Sequence, residues 1–404
     1  MNKLDLGIRF PRGKGKYDVW IFAICIFCLF MPYFIWQLSY KPFLIVCAFL
    51  SIKNLGIGNN ANKLFLAGFM LILYLYTGFI SNWSFYGIIF LLLIVPIFFA
   101  STKFIKQSFD VFVYIFSIML IPSILQYIFV IIFRIDMPHT IIKGLNTEKL
   151  GVYSQYLFMV NYSGGEILID SILPRFYGYF DEPGVVGTIA AVILCVKKFN
   201  FKSWINIPIF IAGTFSFSLV FFLILMIYLF IFVKMKYKII LIPILLILFL
   251  IFADFDIFKY YILDRLDINT NFFESFLTRR DGGEAFESWY ANFQKTPKFL
   301  TGMGAGYSNV VNFGGSSYKN LIINFGIIYF ILYLIAFIFY GIRSIGFHKE
   351  LVISLLILFS IIYQRPFIQD LSYVFLIYAP FVFLQVEKRE SLLQLKNERK
   401  QRRI

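Results

Sequence analysis

Apolar runs of membrane length recur along almost the whole chain, and they constrain its fold more than any motif does. A bilayer's hydrocarbon core asks for about 20 apolar residues per helix, and backbone inside it must close its own hydrogen bonds. About twelve spans are expected, at 19–38, 42–52, 64–80, 84–100, 109–133, 184–197, 203–217, 218–233, 237–254, 319–341, 349–364 and 371–386. Those at 42–52, 184–197 and 203–217 are short, and either tilt less, borrow flanking residues or re-enter. The first run, Val19 to Leu38, is too long for a signal-peptide core and precedes no small-residue cleavage site, so it reads as a retained span. With 60% hydrophobic and 15% charged residues among 404, a soluble globular domain is excluded. The expected fold class is an all-α integral membrane protein, a single polytopic domain over 1–404.

The formal charge of +15 invites nucleic acid or anionic lipid as a partner. Its distribution points to topology instead. Basic residues crowd both tails (Lys3, Arg9, Arg12, Lys14 and Lys16; then Lys388 through Arg403) and alternate short connections such as Lys53/Lys63, Lys103/Lys106 and Lys197/Lys198/Lys202. Cytoplasmic segments carry that excess, so both termini are expected in the cytoplasm, and no nucleic-acid partner is expected. Two long polar loops, 134–183 and 255–318, then fall together on the opposite face and hold most of the carboxylates. The charged tail 387–404 is expected to be a frayed, solvated cytoplasmic helix.

The sequence offers little for metal, redox or cofactor chemistry. Cys25, Cys28, Cys47 and Cys195 lie in apolar runs, and the C-x-x-C lacks a βαβ setting. His139 and His348 stand apart, and Asp254-Phe-Asp256 is a lone D-x-D. Neither a cofactor nor a metal is expected. The halves show no internal repeat, and charge sits in loops rather than spans, both unlike a transporter.

The loops carry the candidate chemistry. The first ends Arg175-Phe-Tyr-Gly-Tyr-Phe-Asp-Glu-Pro183 as it enters a span. Asp181 and Glu182 are either anions capping a helix start or catalytic carboxylates beside Arg175. Arginine suits phosphate because its planar fork donates two parallel hydrogen bonds and keeps its charge. The second loop carries Arg279, Arg280 and Trp289, then Gly302, Gly304 and Gly306, and closes on Tyr318, Lys319 and Asn320. The glycine alternation is either an anion-binding run of N–H groups or a tight turn. Arg365, before Pro366 at the outer end of a span, is either functional or a snorkelling interfacial arginine.

These segments, in this order, resemble the O-antigen polymerases (the Wzy type) of the superfamily that also contains the O-antigen ligases. The resemblance rests on Arg175, Gly178 with Glu182-Pro183, the stretch Thr214 to Ser218, Arg280 with Trp289, the glycine turn, and Asn320 with Gly326. Two positions depart from the superfamily. Phe217 and Leu219 flank Ser218 where a basic residue often follows, and Lys319 stands where ligases place histidine.

The resemblance implies a GT-C-like membrane glycosyltransferase of lipopolysaccharide synthesis, using no nucleotide sugar. Donor and acceptor are both glycans on undecaprenyl pyrophosphate, with membrane lipids, a chain-length regulator and a flippase as partners. Glu182, Asp181, Arg175 and Arg280 then fall to catalysis, with Glu182 in the matching position for the base. Arg279, Arg365, Trp289, Tyr318, Lys319 and Asn320 fall to substrate binding. An O-antigen ligase and a lipid-linked oligosaccharide flippase are the alternatives.

Overall fold

In the computed structural model, residues 15–56, 61–82, 85–145, 152–162, 174–232, 283–311 and 317–401 are described. The apolar runs among them fold as helices: α1 (Lys16–Leu29), α2 (Lys41–Lys53), α3 (Ala61–Ile80), α4 (Phe85–Leu92), α5 (Pro96–Phe99), α6 (Thr102–Tyr127), α7 (Pro183–Val196), α8 (Asn206–Phe215) and α9 (Leu219–Phe232). The second loop contributes α10 (Glu284–Phe293), α11 (Lys298–Thr301) and α12 (Tyr307–Val311). Three further helices follow, α13 (Lys319–Ile345), α14 (Lys349–Gln364) and α15 (Leu371–Gln401). Four helical stretches, Ala61–Ile80, Thr102–Ile132, Lys319–Ile345 and Leu371–Glu390, are long and apolar enough to cross a membrane. The expected span 237–254 lies outside the described residues.

Several elements differ from expectation, each for a local reason. The first run stops at Leu29, because Met31 turns left-handed (φ 53°) ahead of Pro32, and only a 3-10 turn, Tyr33–Ile35, follows. The run 84–100 splits into α4 and α5, with Pro96 opening the second piece. The tail does not start a new element at Glu387. Good helix formers carry α15 on to Gln401, while Glu387 pairs with Lys198 and Glu390 with Lys106. The first loop is not wholly irregular either. It holds an antiparallel sheet, β1 (Thr140–Lys143), β2 (Val152–Gln155) and β3 (Val160–Tyr162), with Ile142 opposite Tyr153 and Tyr153 opposite Tyr162. The chain is mostly helical with one small sheet, compatible with the all-α membrane class expected.

α7 is buried on every side, and α15 nearly so through Leu384. A helix apolar all round belongs at the centre of a bundle. Small residues on α7 (Gly184, Gly187, Ala190, Ala191) let neighbouring backbones come close. α8, α9, α14 and α15 pack around it, while α6, α1 and α13 pack on α15.

Side-chain contacts sort the helix ends into two sets. At one end Lys53 pairs with Asp18, Lys197 with Asp110, and Lys388 bonds the Ile345 carbonyl. At the other end the two loops are tied down by tyrosines. Tyr33 donates to the Leu157 carbonyl (2.5 Å), Tyr76 to Thr301 (2.6 Å) and Tyr74 to Ile368 (3.0 Å). The described parts of both loops therefore sit over the same end of the bundle, the first at the start of α7 and the second against α3 and α13.

Candidate functional site

Glu182 closes the first loop in extended backbone (φ −142°, ψ 135°), and Pro183 is the first residue of α7. Proline suits that position because its φ is already helical and its missing N–H would be unused there. Glu182 stands where a cap would, yet its side chain makes no capping hydrogen bond. Its carboxylate pairs instead with Nη2 of Arg365, at the end of α14 and 183 residues away in sequence. Glu182 thus keeps the helix-start position, where the dipole favours its charge, without a side-chain capping bond.

Arg365 is buried, not snorkelling. Burial alone would make its guanidinium easier to deprotonate. Glu182, then Tyr373 and Asp181, outweigh that and hold it protonated. The close approach depends on Gly184, where a Cβ would stand 2.9 Å from Nη2 of Arg365.

One turn further along α7, Gly187 receives the serine stretch. A Cβ there would meet Cβ of Ser218 at 2.2 Å and Oγ of Ser216 at 2.7 Å. Arg175 reaches the same stretch from the first loop. Its Nε donates to the Ser216 carbonyl (2.8 Å) and its Nη2 to that of Phe217 (3.2 Å). These carbonyls belong to the end of α8, which has no further turn to bond them. Arg175 thus holds the α8–α9 corner. That accounts for two of its donors in a way the phosphate reading of the sequence did not foresee. Asp181 is fixed through its backbone, whose carbonyl accepts from the Tyr153 hydroxyl at 2.8 Å. Burial first, then Asp181, pushes the Tyr153 phenol up, so it stays a donor.

The described part of the second loop packs on α13. Lys319, at the start of α13, is buried and reaches both carboxylate oxygens of Glu287 on α10 (2.6 and 2.8 Å). Its ammonium also lies 4.9 Å from the Tyr290 ring. Trp289 stacks on Phe293, with ring centroids 5.2 Å apart, and Tyr318 packs against Phe330. Asn320 sits in the first turn of α13, its N–H bonded to the Ser317 carbonyl at 3.0 Å. Lys319 and Trp289 therefore dock α10 onto α13, a structural task beside the expected substrate contact. Arg279, Arg280 and the D-x-D residues Asp254 and Asp256 lie outside the described residues.

The glycine run is a turn that meets a broken helix. α13 is interrupted at Gly326 (φ 86°). The carbonyls of Ile323 and Asn324 there accept from Met303 N–H (2.8 Å) and Gly304 N–H (2.9 Å), while Ala305 N–H donates to Ser81 Oγ. The N–H groups of 303–305 are thus engaged with protein, so of the two readings the tight turn is the one observed.

No family model, curated protein or solved structure matches the chain. The site therefore stands on its own geometry. A buried arginine, a second arginine fixed on backbone and two adjacent carboxylates meet around the positive end of α7, a setting that favours anions. Sequence reasoning named these residues separately but missed Glu287 as the partner of Lys319, and missed Asp370. The charged turn 365–370 between two apolar runs is the signal that points to Asp370.

Proposed function

We propose that the chain is an O-antigen polymerase. It joins oligosaccharide repeat units carried on undecaprenyl pyrophosphate, at the periplasmic face of the bacterial inner membrane, in lipopolysaccharide synthesis. About twelve spans, cytoplasmic termini and two periplasmic loops complete this reading. The observation that carries it is the gathering of Arg175, Asp181, Glu182 and Arg365 around the start of α7, where the first loop enters it. An acceptor hydroxyl attacks the anomeric carbon of the donor glycan, and the bond from that carbon to the pyrophosphate oxygen breaks. The proton of the hydroxyl passes to Glu182, and the departing pyrophosphate is held by arginines, with Arg280 and Arg279 assigned to it by the resemblance. Asp181 lies within electrostatic reach of Arg365 and shares in orienting it.

The test is the lipopolysaccharide banding pattern of a strain lacking the gene. A single repeat on the core supports a polymerase. Bare core replaces it with a ligase or a flippase, and an unchanged ladder removes the chain from this pathway.

A further inference from the structure

A cavity opens at the same end of the bundle, on the far side of the turn that carries Arg365. It encloses about 720 Å³ between the end of α1, the start of α2, α4 and the start of α15. Its wall is apolar, with Leu29, Leu44, Phe90 and Leu91. Its polar groups are few and come from two places: Lys41 on one side, and Gln369, Asp370 and Ser372 on the other.

These polar groups are not satisfied by one another. The Lys41 ammonium lies 5.0 Å from the Phe90 ring centroid, a cation–π contact. Nε2 of Gln369 is buried with no hydrogen-bond partner among the described residues. Asp370 uses its backbone to bond Phe367 and Val374. No ion pair or hydrogen bond engages its carboxylate among the described residues. Lys41 and Asp370 are exposed at the cavity and the Gln369 amide nitrogen is buried beside them, and polar groups that converge on an apolar cavity are matched by what enters it.

The cavity and the Glu182–Arg365 site are separate but near. The turn 365–370 has Arg365 at one end and Asp370 at the other. The Tyr373 phenol interacts electrostatically with Arg365, Asp181, Asp370 and Glu182 together. The turn is thus a partition between two polar sites. A reaction that joins two lipid-linked glycans requires two such places.

We propose that this cavity holds the second lipid-linked substrate: Lys41 binds its phosphate, Asp370 and Gln369 bind hydroxyls of its first sugar, and the apolar wall takes the start of the polyprenyl chain. An ammonium supplies only donors and a point charge suited to phosphate, a carboxylate supplies only acceptors suited to hydroxyls, and an amide supplies both. The choice of ligand rests on the polymerase reading, whereas the existence of a second amphiphile site does not.

The experiment is native mass spectrometry of the purified full chain in detergent. The probe is undecaprenyl diphosphate bearing one N-acetylglucosamine, with dioleoylphosphatidylglycerol as the competing bulk lipid. The wild-type chain is expected to take two probe molecules. Leu44→Trp, which fills the cavity, and Lys41→Gln, at an exposed position that cannot unfold the core, are each expected to take one. Asp370→Ala is expected to weaken the second binding step by about tenfold or more. Two molecules still bound by Lys41→Gln and Leu44→Trp would overturn the inference, as would a wild type that takes only one. Displacement of the second molecule by equimolar dioleoylphosphatidylglycerol would overturn it as well, in favour of a bulk phospholipid. The banding test decides the polymerase reading separately, so a lost polymerase with an intact second site, or the reverse, is distinguishable.

Discussion

Glu182 has two tasks that substitutions can separate. Its carboxylate neutralises the buried Arg365, and in the proposed reaction it also takes a proton. Glu182→Ala leaves a buried guanidinium uncompensated, at a cost of about 3–5 kcal/mol, so the protein level in the membrane should fall. Glu182→Gln keeps an oxygen for the guanidinium but cannot act as a base. Since it keeps the hydrogen bond but not the charge, its protein level should fall less than that of Glu182→Ala, while polymer formed per molecule of protein falls roughly 100- to 10,000-fold, read as a single repeat on the core. Long chains made by Glu182→Gln at the wild-type amount per molecule of protein would remove this residue from the chemistry.

Asp370 behaves differently. The residue as a whole is exposed on the cavity side, while the protein packed around its carboxyl desolvates it and raises it to about 6. Lys41, Tyr74 and Tyr373 are the charged or titratable groups facing it. A folded value above the unfolded one, about 3.9, means the protonated form favours folding. This group's support for the fold is present below about pH 4 and is lost as pH rises through about 6. Hydroxyl binding follows the opposite sign, since it needs the ionised form. Binding of the glycosylated lipid should weaken as pH falls through about 6, and Asp370→Asn should flatten that dependence. An identical pH profile in wild type and Asp370→Asn would show that the carboxylate takes no part.

At the scale of elements, the broken helix α13 is the part most exposed to a single change. Gly326 has φ 86°, and a Cβ there would stand 2.2 Å from the Leu300 carbonyl. A Cβ added at Gly302, which crosses it, would stand 2.5 Å from the Asn324 carbonyl. With φ 86° and ψ 159°, Gly326 occupies a region essentially restricted to glycine, which costs an L-residue about 1–3 kcal/mol, and the backbone contact adds to it. Gly326→Ala should therefore lower the melting temperature of the purified protein measurably in a thermal-shift assay, and an unchanged value would show that the break is dispensable. Most helices were legible because hydrophobic runs and prolines mark them directly. The break was visible only as an Asn320-to-Gly326 pattern, since nothing local says which backbone crosses it. The sheet in the first loop was missed although Thr140 to Lys143, Val152 to Gln155 and Val160 to Tyr162 carry β-branched and aromatic residues. Short strands in a polar loop give too few alternations to outweigh the turn signals around them.

Across the whole molecule, the site residues were legible as charges beside an interface, but their partners were not. Glu182 meets Arg365 only because α7 and α14 pack together, and Lys319 meets Glu287 only because α10 folds back onto α13. The bundle also has a shape that no single contact expresses. α2 has 13 residues and α1 has 14, yet both present large apolar side chains outward, Ile21 and Ile24 on α1 and Ile45, Phe49 and Ile52 on α2. At 1.5 Å per residue such helices cover about 20 Å, against about 30 Å of hydrocarbon. With lipid against them, the bilayer along the flank where Lys41 stands would have to thin to match. Under the proposed function, the charged end of a lipid carrier would then have a smaller climb there than elsewhere on the perimeter. The protein should melt at a higher temperature in nanodiscs of 14-carbon lipids than in those of 18-carbon lipids, and the reverse order would mean that the flank is not lined by lipid at all.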